Sequence, residues 1–218
     1  MRVNPFEDSW LFLIGAQPDQ VSLGPWRWFF VFIFISLLVA NVALAVNSLS
    51  SEVEQRRGLH LTVWLLRTLI GAMWFQGMLW KLPLFSTHNG LYFWTKQMAE
   101  FAAFPIYAEL VNKLLVPYFT IFTDPLVFIA EFTFGTSLML GFGVRVTGAL
   151  GALFVLNLWI GLYRQPQEWP WTYIFLAGLM ALFSVQSAGR SLGLDAWLLR
   201  RRATHSGGLS AFYLRYLA

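Results

Sequence analysis

Cysteine is absent from all 218 residues. That excludes disulfides, thiolate metal sites, iron–sulfur clusters and thiol redox chemistry. Charge is scarce as well. Asp, Glu, Lys and Arg make up 12% of the chain, about half of the roughly 25% found in soluble domains. The net charge of +4 is modest, and no basic stripe on a polar face marks a nucleic-acid surface. Only three histidines occur, His60, His88 and His205. None lies within an apolar run and no two share a helix face, so a membrane haem would lack its axial ligands. There is no HExxH, no clustered His/carboxylate set and no glycine-rich phosphate loop. Neither a metal site nor a nucleic-acid partner is expected.

What remains is apolar. The chain is 57% hydrophobic with 11 Trp and 21 Phe, and its mean hydropathy is +0.58. A spanning helix needs about 20 mostly apolar residues, and five segments qualify: about 26–48, 61–82, 122–143, 145–164 and 170–189. Ala43-Leu44-Ala45 has the small-residue look of a signal-peptidase site. The apolar run before it is longer than the roughly 7–15 residues of a signal h-region, so the first segment reads as an uncleaved helix. The expected fold class is an all-α integral membrane protein of five spans, with the lipid bilayer as its surroundings.

Lysine and arginine in the short flanks set orientation. Arg200-Arg201-Arg202 is the densest basic cluster, with Arg190 and Arg215 beside it. This predicts a cytoplasmic C-terminus and, with five spans, an external N-terminus. Residues 83–121 then lie outside. Pro83, Pro105 and Pro117 divide that insert, and 106–115 shows Ile106, Leu110 and Leu114 on one face against Glu109, Asn112 and Lys113. That periodicity predicts short helices lying on the outer surface. Residues 191–202 predict a similar interfacial helix on the cytoplasmic side, leading into a basic tail over 196–218.

Polar residues inside the apolar runs are the candidates for function, because ionisable groups in a bilayer are costly. At 1.5 Å of rise per residue, Arg67 lies roughly 9 Å and Glu131 about 18 Å from the cytoplasmic face. Asn157 falls near the depth of Glu131 and Gln76 slightly higher. The spacing predicts that Arg67 meets Glu131 within a cluster shared with Asn157 or Gln76. Two readings stand: a polar pocket, or a structural ion pair. Lys81, beside Trp80 and Pro83, is expected to extend to the headgroups. Thr147/Gly151 and Gly148/Ala152 carry the small-xxx-small spacing of close helix packing.

Three stretches share one resemblance. LLRTLIGAMWFQGMLWKL carries Arg67, Gly71, Gly77 and Lys81. AEFTFGTSLMLGFGVRVTG carries Glu131, Gly135, Leu140, Gly141 and Arg145. AGRSLGLDAWL carries Gly189, Arg190 and Asp195. In their order and spacing, residues 65–195 resemble the DoxX-like family of small membrane proteins, which includes the DoxD subunit of thiosulfate:quinone oxidoreductase. The resemblance implies a four-helix membrane bundle over 61–195, in a bacterial or archaeal cytoplasmic membrane. Residues 1–60, with an extra N-terminal spanning helix, and the length of the external insert 83–121 lie outside it.

The resemblance implies a membrane subunit of a quinone-linked oxidoreductase system. A quinone, bound without a covalent link, would need polar partners at membrane depth and aromatic walls, for which Arg67, Trp74, Gln76, Glu131 and Asn157 are the candidates. Thiosulfate would be held by external cations, with Lys81, Lys96 and Lys113 as candidates. No residue set in the chain carries out two-electron transfer unaided, so other membrane subunits are expected. The alternative is a non-catalytic accessory subunit packed into a larger respiratory or photosynthetic complex. A small transporter would show an inverted repeat or paired broken helices, and neither is seen.

Overall fold

The computed structural model describes residues 4–17 and 23–202, and among these there is no strand. The helices are α1 (Pro5–Leu13), α2 (Trp26–Ser51), α3 (Gly58–Leu79), α4 (Gly90–Phe101), α5 (Pro105–Leu110), α6 (Asp124–Leu140), α7 (Val144–Gly161), α8 (Pro170–Val185) and α9 (Leu194–Arg202). Among the described residues, four helical stretches are long and apolar enough to cross a membrane: α2, α3, Phe119–Leu140 and α7. The chain is therefore a multi-pass membrane protein by length and composition. The fifth expected span, α8, has 16 residues. At 1.5 Å per residue it rises about 24 Å, less than the roughly 30 Å of a hydrocarbon core.

The helix ends follow their residue types. Asn4 caps α1, its side chain accepting from Glu7 N at 2.9 Å, and Pro5 occupies the first helical position, where its missing N–H costs nothing. Asn89 caps α4 by accepting from Tyr92 N at 3.1 Å. Gly141, with φ +67°, ends α6 in the left-handed conformation that glycine adopts most readily. In the insert, α5 continues as a π-helical turn, Val111–Leu115, in which Val111 is buried while Ile106, Leu110 and Leu114 are exposed. A second π-turn, Phe119–Thr123, follows Pro117. Proline's ring and missing N–H disturb the regular ladder here, and Thr123 Oγ1 donates to the Leu115 carbonyl at 2.9 Å. The basic tail beyond Arg202 lies outside the described residues.

The chain divides into two compact units. The first comprises residues up to 34, with 75–132 and 155–174. Met98, Val111 and Leu162 form a buried cluster there, covered by Trp94, Tyr107 and Tyr173. Gly161 admits Met98: a β-carbon at that glycine would lie 2.5 Å from the methionine Cε. Backbone bonds from Ala103 N to Ile160 O (2.8 Å) and Arg164 N to Phe101 O (3.0 Å) tie the insert to the end of α7.

The second unit comprises 35–74, 133–154 and the residues from 175 onward. Asn41 is fully buried; it donates to Thr68 Oγ1 at 2.9 Å and accepts from Trp64 Nε1 at 3.0 Å. This polar knot joins α2 to α3. The small residues of α7 do what their spacing predicts: a β-carbon on Gly148 would sit 2.8 Å from the Met180 carbonyl, and one on Gly151 would collide with Met180 Cε. Thr147 turns elsewhere, to Ser137 at 2.6 Å. Gly71 of α3 packs against α6, where a β-carbon would lie 2.8 Å from Met139 N.

Candidate functional site

In the first unit, one face of α6 carries two buried acids. Asp124 and Glu131 are seven residues apart, two helical turns, so they stack on the same side. Glu131 accepts an ion pair from Lys81 at 2.7 Å, with only 12% of the lysine side chain exposed. Lys81 also donates to the Gly77 carbonyl at 2.8 Å. A β-carbon on Gly77 would stand 3.6 Å from Glu131 Oε2, an ordinary contact. Asp124 accepts from Asn89 Nδ2 at 3.0 Å and from Phe85 N at 2.6 Å, and the same Asn89 amide donates to the Lys81 carbonyl at 2.8 Å. The acid holds Phe85 at φ 60°, a left-handed conformation that a bulky residue adopts only when its surroundings impose it.

In the second unit, Arg67 is fully buried. Its guanidinium donates to the carbonyl of Leu138, to that of Met139 at 3.2 Å, and to that of Ser191 at 3.5 Å. The first two are carbonyls of the last turn of α6, which have no intrahelical donor and sit at the negative end of the helix dipole. Arg67 is therefore a C-terminal cap for another helix. Asp195, also fully buried, acts electrostatically on Arg67 and accepts from Gly143 N at 3.1 Å, while its own N–H donates to Gly141 O at 2.9 Å. Three glycines close the cluster. A β-carbon on Gly141 would lie 2.7 Å from Arg67 Nη1, one on Gly193 would collide with Gly189 O, and one on Gly189 would collide with the Asp195 carboxylate.

This geometry corrects the expected Arg67–Glu131 pair. Glu131 takes Lys81 and Arg67 takes helix-end carbonyls. Depth arithmetic compares side chains only, and backbone carbonyls at a helix end are equally good acceptors for a guanidinium. It also corrects the expectation that Lys81 reaches for the headgroups, because the lysine folds back over Gly77. The other candidates have partners of their own. Gln76 donates to Ser9 O at 2.8 Å. Asn157 accepts from Tyr107 Oη at 2.7 Å. Lys96 lies 4.5 Å over the Tyr92 ring, and Lys113 pairs with Glu109 at 2.5 Å. Among the described residues, no group of three or more His or acidic side chains is placed to hold a metal.

Trp74 differs from all of these. It is 4% exposed, and its indole N–H is buried without an acceptor. Phe134 and Phe154 meet it edge-on, with ring centroids 5.4 and 5.8 Å away, and the two phenylalanines lie 5.8 Å from each other. A buried donor without a partner is uncommon, since desolvating it costs about 1–3 kcal/mol. Sequence reasoning named Trp74 but missed Asn41, Trp64, Asn89 and Asp124. Asn89-Gly90 and Asp124-Pro125 are turn and helix-start signals that would have located two of them.

No protein-family model, curated protein or solved structure matches the chain.

Proposed function

We propose that the chain is a membrane subunit of a quinone-linked oxidoreductase system, resembling the DoxD subunit of thiosulfate:quinone oxidoreductase and working with a partner that carries the redox centre. The observation that carries this reading is the unpartnered indole N–H of Trp74 between Phe134 and Phe154. Trp74 would hold a quinone carbonyl, and the two phenylalanines would wall its ring; the quinone supplies the two-electron acceptor that the side chains lack. The absence of cysteine from the sequence leaves the chain without a thiol route for thiosulfate electrons, which is why a partner belongs to the proposal. The five-span topology, with the N-terminus outside, and the DoxX-like bundle over 61–195 belong to the same reading.

Trp74→Phe removes the donor and keeps the ring. In a reconstituted system of chain plus partner, thiosulfate-driven reduction of a soluble quinone analogue should show a raised KM for the analogue, with unfolding of the variant unchanged. An unchanged KM overturns the assignment of Trp74.

A second reading is a non-catalytic accessory subunit of a larger respiratory or photosynthetic assembly. It is favoured by α2, of whose most apolar stretch only 17% is buried, against 39% for Phe119–Leu140. Extraction in mild detergent separates the two: the accessory reading expects tight co-purification with pigment or haem proteins and no turnover in any combination.

A further inference from the structure

The C-terminal half of α2 has two unlike faces. Asn41, Ala45 and Ser48 are buried at the four- and three-residue spacing of one helix face. The opposite side is open. A shallow groove of about 680 Å³ runs along it from Leu38 to Ser50, past Val39, Val42 and Val46. Ala43 is the smallest side chain lining it and is itself exposed. Over these residues the helix rises about 18 Å. Half of a hydrocarbon core is about 15 Å, so the groove is as long as one leaflet is thick.

The groove is apolar until Asn47 and Ser50, and there it meets cations. Arg200 donates to Asn47 Oδ1 at 3.0 Å and Ser48 Oγ at 3.2 Å. Arg56 donates through Nε to the Leu49 carbonyl at 2.8 Å, and its side chain is otherwise exposed. Residues 52–57 and 200–201 together hold four arginines and two glutamates. Glu54 is paired with Arg57 at 2.9 Å, and Glu52 lies 3.6 Å from Arg200. The end of the groove is therefore positive on balance. Basic groups beside a membrane helix attract anionic headgroups.

We propose that this face of α2 binds an anionic phospholipid, with an acyl chain along Val39–Val46 and the phosphate between Arg56 and Arg200. A helix of a second copy fits less well, because in the same membrane it would bring its own arginines to the same depth. This inference stands apart from the quinone reading.

The test uses the full chain in vesicles holding equal amounts of phosphatidylglycerol and phosphatidylcholine, followed by mild extraction and quantification of the lipid retained. Two arginines, each worth roughly fivefold near a surface, predict a roughly 30-fold preference for phosphatidylglycerol. Arg56→Gln, which touches only one carbonyl, should cut that preference about fivefold. Ala43→Phe fills the groove and should lower retention of both lipids, with the unfolding transition unchanged. Equal retention of the two lipids, or no effect of Ala43→Phe, overturns the proposal. Val46→Cys places a single thiol in an otherwise cysteine-free chain, and efficient disulfide-linked dimers in the membrane would assign the face to a second copy instead.

Discussion

Glu131 and Arg67 solve one problem in two ways. Each is a charge buried in an apolar helix. Glu131 is answered by an opposite charge, Lys81 at 2.7 Å. Arg67 is answered chiefly by backbone, the carbonyls that end α6. The first solution is point to point: one long flexible side chain meets one carboxylate, and the lysine retains the option of turning away. The second is a fork held in a plane by several carbonyls and enclosed by Gly141, Gly189 and Gly193. A guanidinium suits that role because its donors are fixed in a fan, whereas an ammonium is a point. The glycine-enclosed cluster gathers Arg67, Gly141, Gly189 and Asp195. Its closure fits a structural lock.

The largest expected effect falls on the lock. Arg67→Leu leaves the Asp195 charge buried and strips the last turn of α6 of its donors. Removing one member of a buried polar set of this kind costs about 3–5 kcal/mol. Arg67→Lys should recover only part of this, since one ammonium cannot reach the carbonyls of both residue 138 and residue 191. Unfolding in detergent micelles measures both variants. Equal stability of Arg67→Lys and the parent chain would break the distinction between fork and point.

The Lys81–Glu131 pair should respond asymmetrically. Lys81→Met leaves a carboxylate stranded in the helix, at about 3–5 kcal/mol. Glu131→Leu leaves a lysine with enough reach to move its ammonium toward water, so its cost should fall nearer to 1–3 kcal/mol. The double variant should show a coupling of about 0.5–3 kcal/mol. Strictly additive losses would mean that the two side chains do not act as a pair.

Much of this was legible before the fold was known. Spans at 26–48, 61–82 and 145–164 correspond to α2, α3 and α7 within a few residues, because a long apolar run bounded by Arg, Pro or Gly has few alternatives. That charged residues inside the runs needed answers was also legible. Which answers they found was not. A carbonyl has no letter in the sequence, so the Arg67 cap was invisible, although Gly141 marked the helix end that offers it. The fold-back of Lys81 runs to the Gly77 carbonyl, four residues earlier on the same face, a spacing that is readable once a lysine is allowed to bend inward. Asn41 stood in plain view inside the first apolar run, and its Trp64 and Thr68 partners lie on the next helix at positions that no local pattern marks.

Two glycines of α3 sharpen the contrast at a smaller scale. Replacing glycine by alanine inside a helix gains up to about 1 kcal/mol where space permits. At Gly77 the new methyl group meets Glu131 Oε2 at 3.6 Å, an ordinary contact, so Gly77→Ala should be neutral or stabilising. At Gly71 it meets Met139 N at 2.8 Å, a backbone atom that cannot yield alone. Gly71→Ala should cost about 1–3 kcal/mol through overpacking. Thermal unfolding of the two variants side by side decides this, and equal transitions would show that α3 shifts to accept either.

The smallest effect concerns a polar contact that carries no formal charge at neutral pH. Tyr107 donates to Asn157 at 2.7 Å, and partial burial pushes its pKa up from 10.0 to about 12. A raised pKa in the folded chain means that folding favours the protonated phenol. Below pH 10 both states hold the proton and the contribution is complete. Between about 10 and 12 the unfolded chain loses a proton that the folded chain keeps, so stability falls through that window. Tyr107→Phe should remove one late-titrating step from the tyrosinate absorbance and flatten the pH dependence of unfolding in the same interval. At neutral pH it should cost only about 0.5–1.5 kcal/mol, the net worth of one neutral hydrogen bond. A cost at neutral pH as large as that of Lys81→Met would mean that Asn157, left without its donor, is as badly placed as a stranded charge, and the division between charged and uncharged polar groups drawn here would not hold.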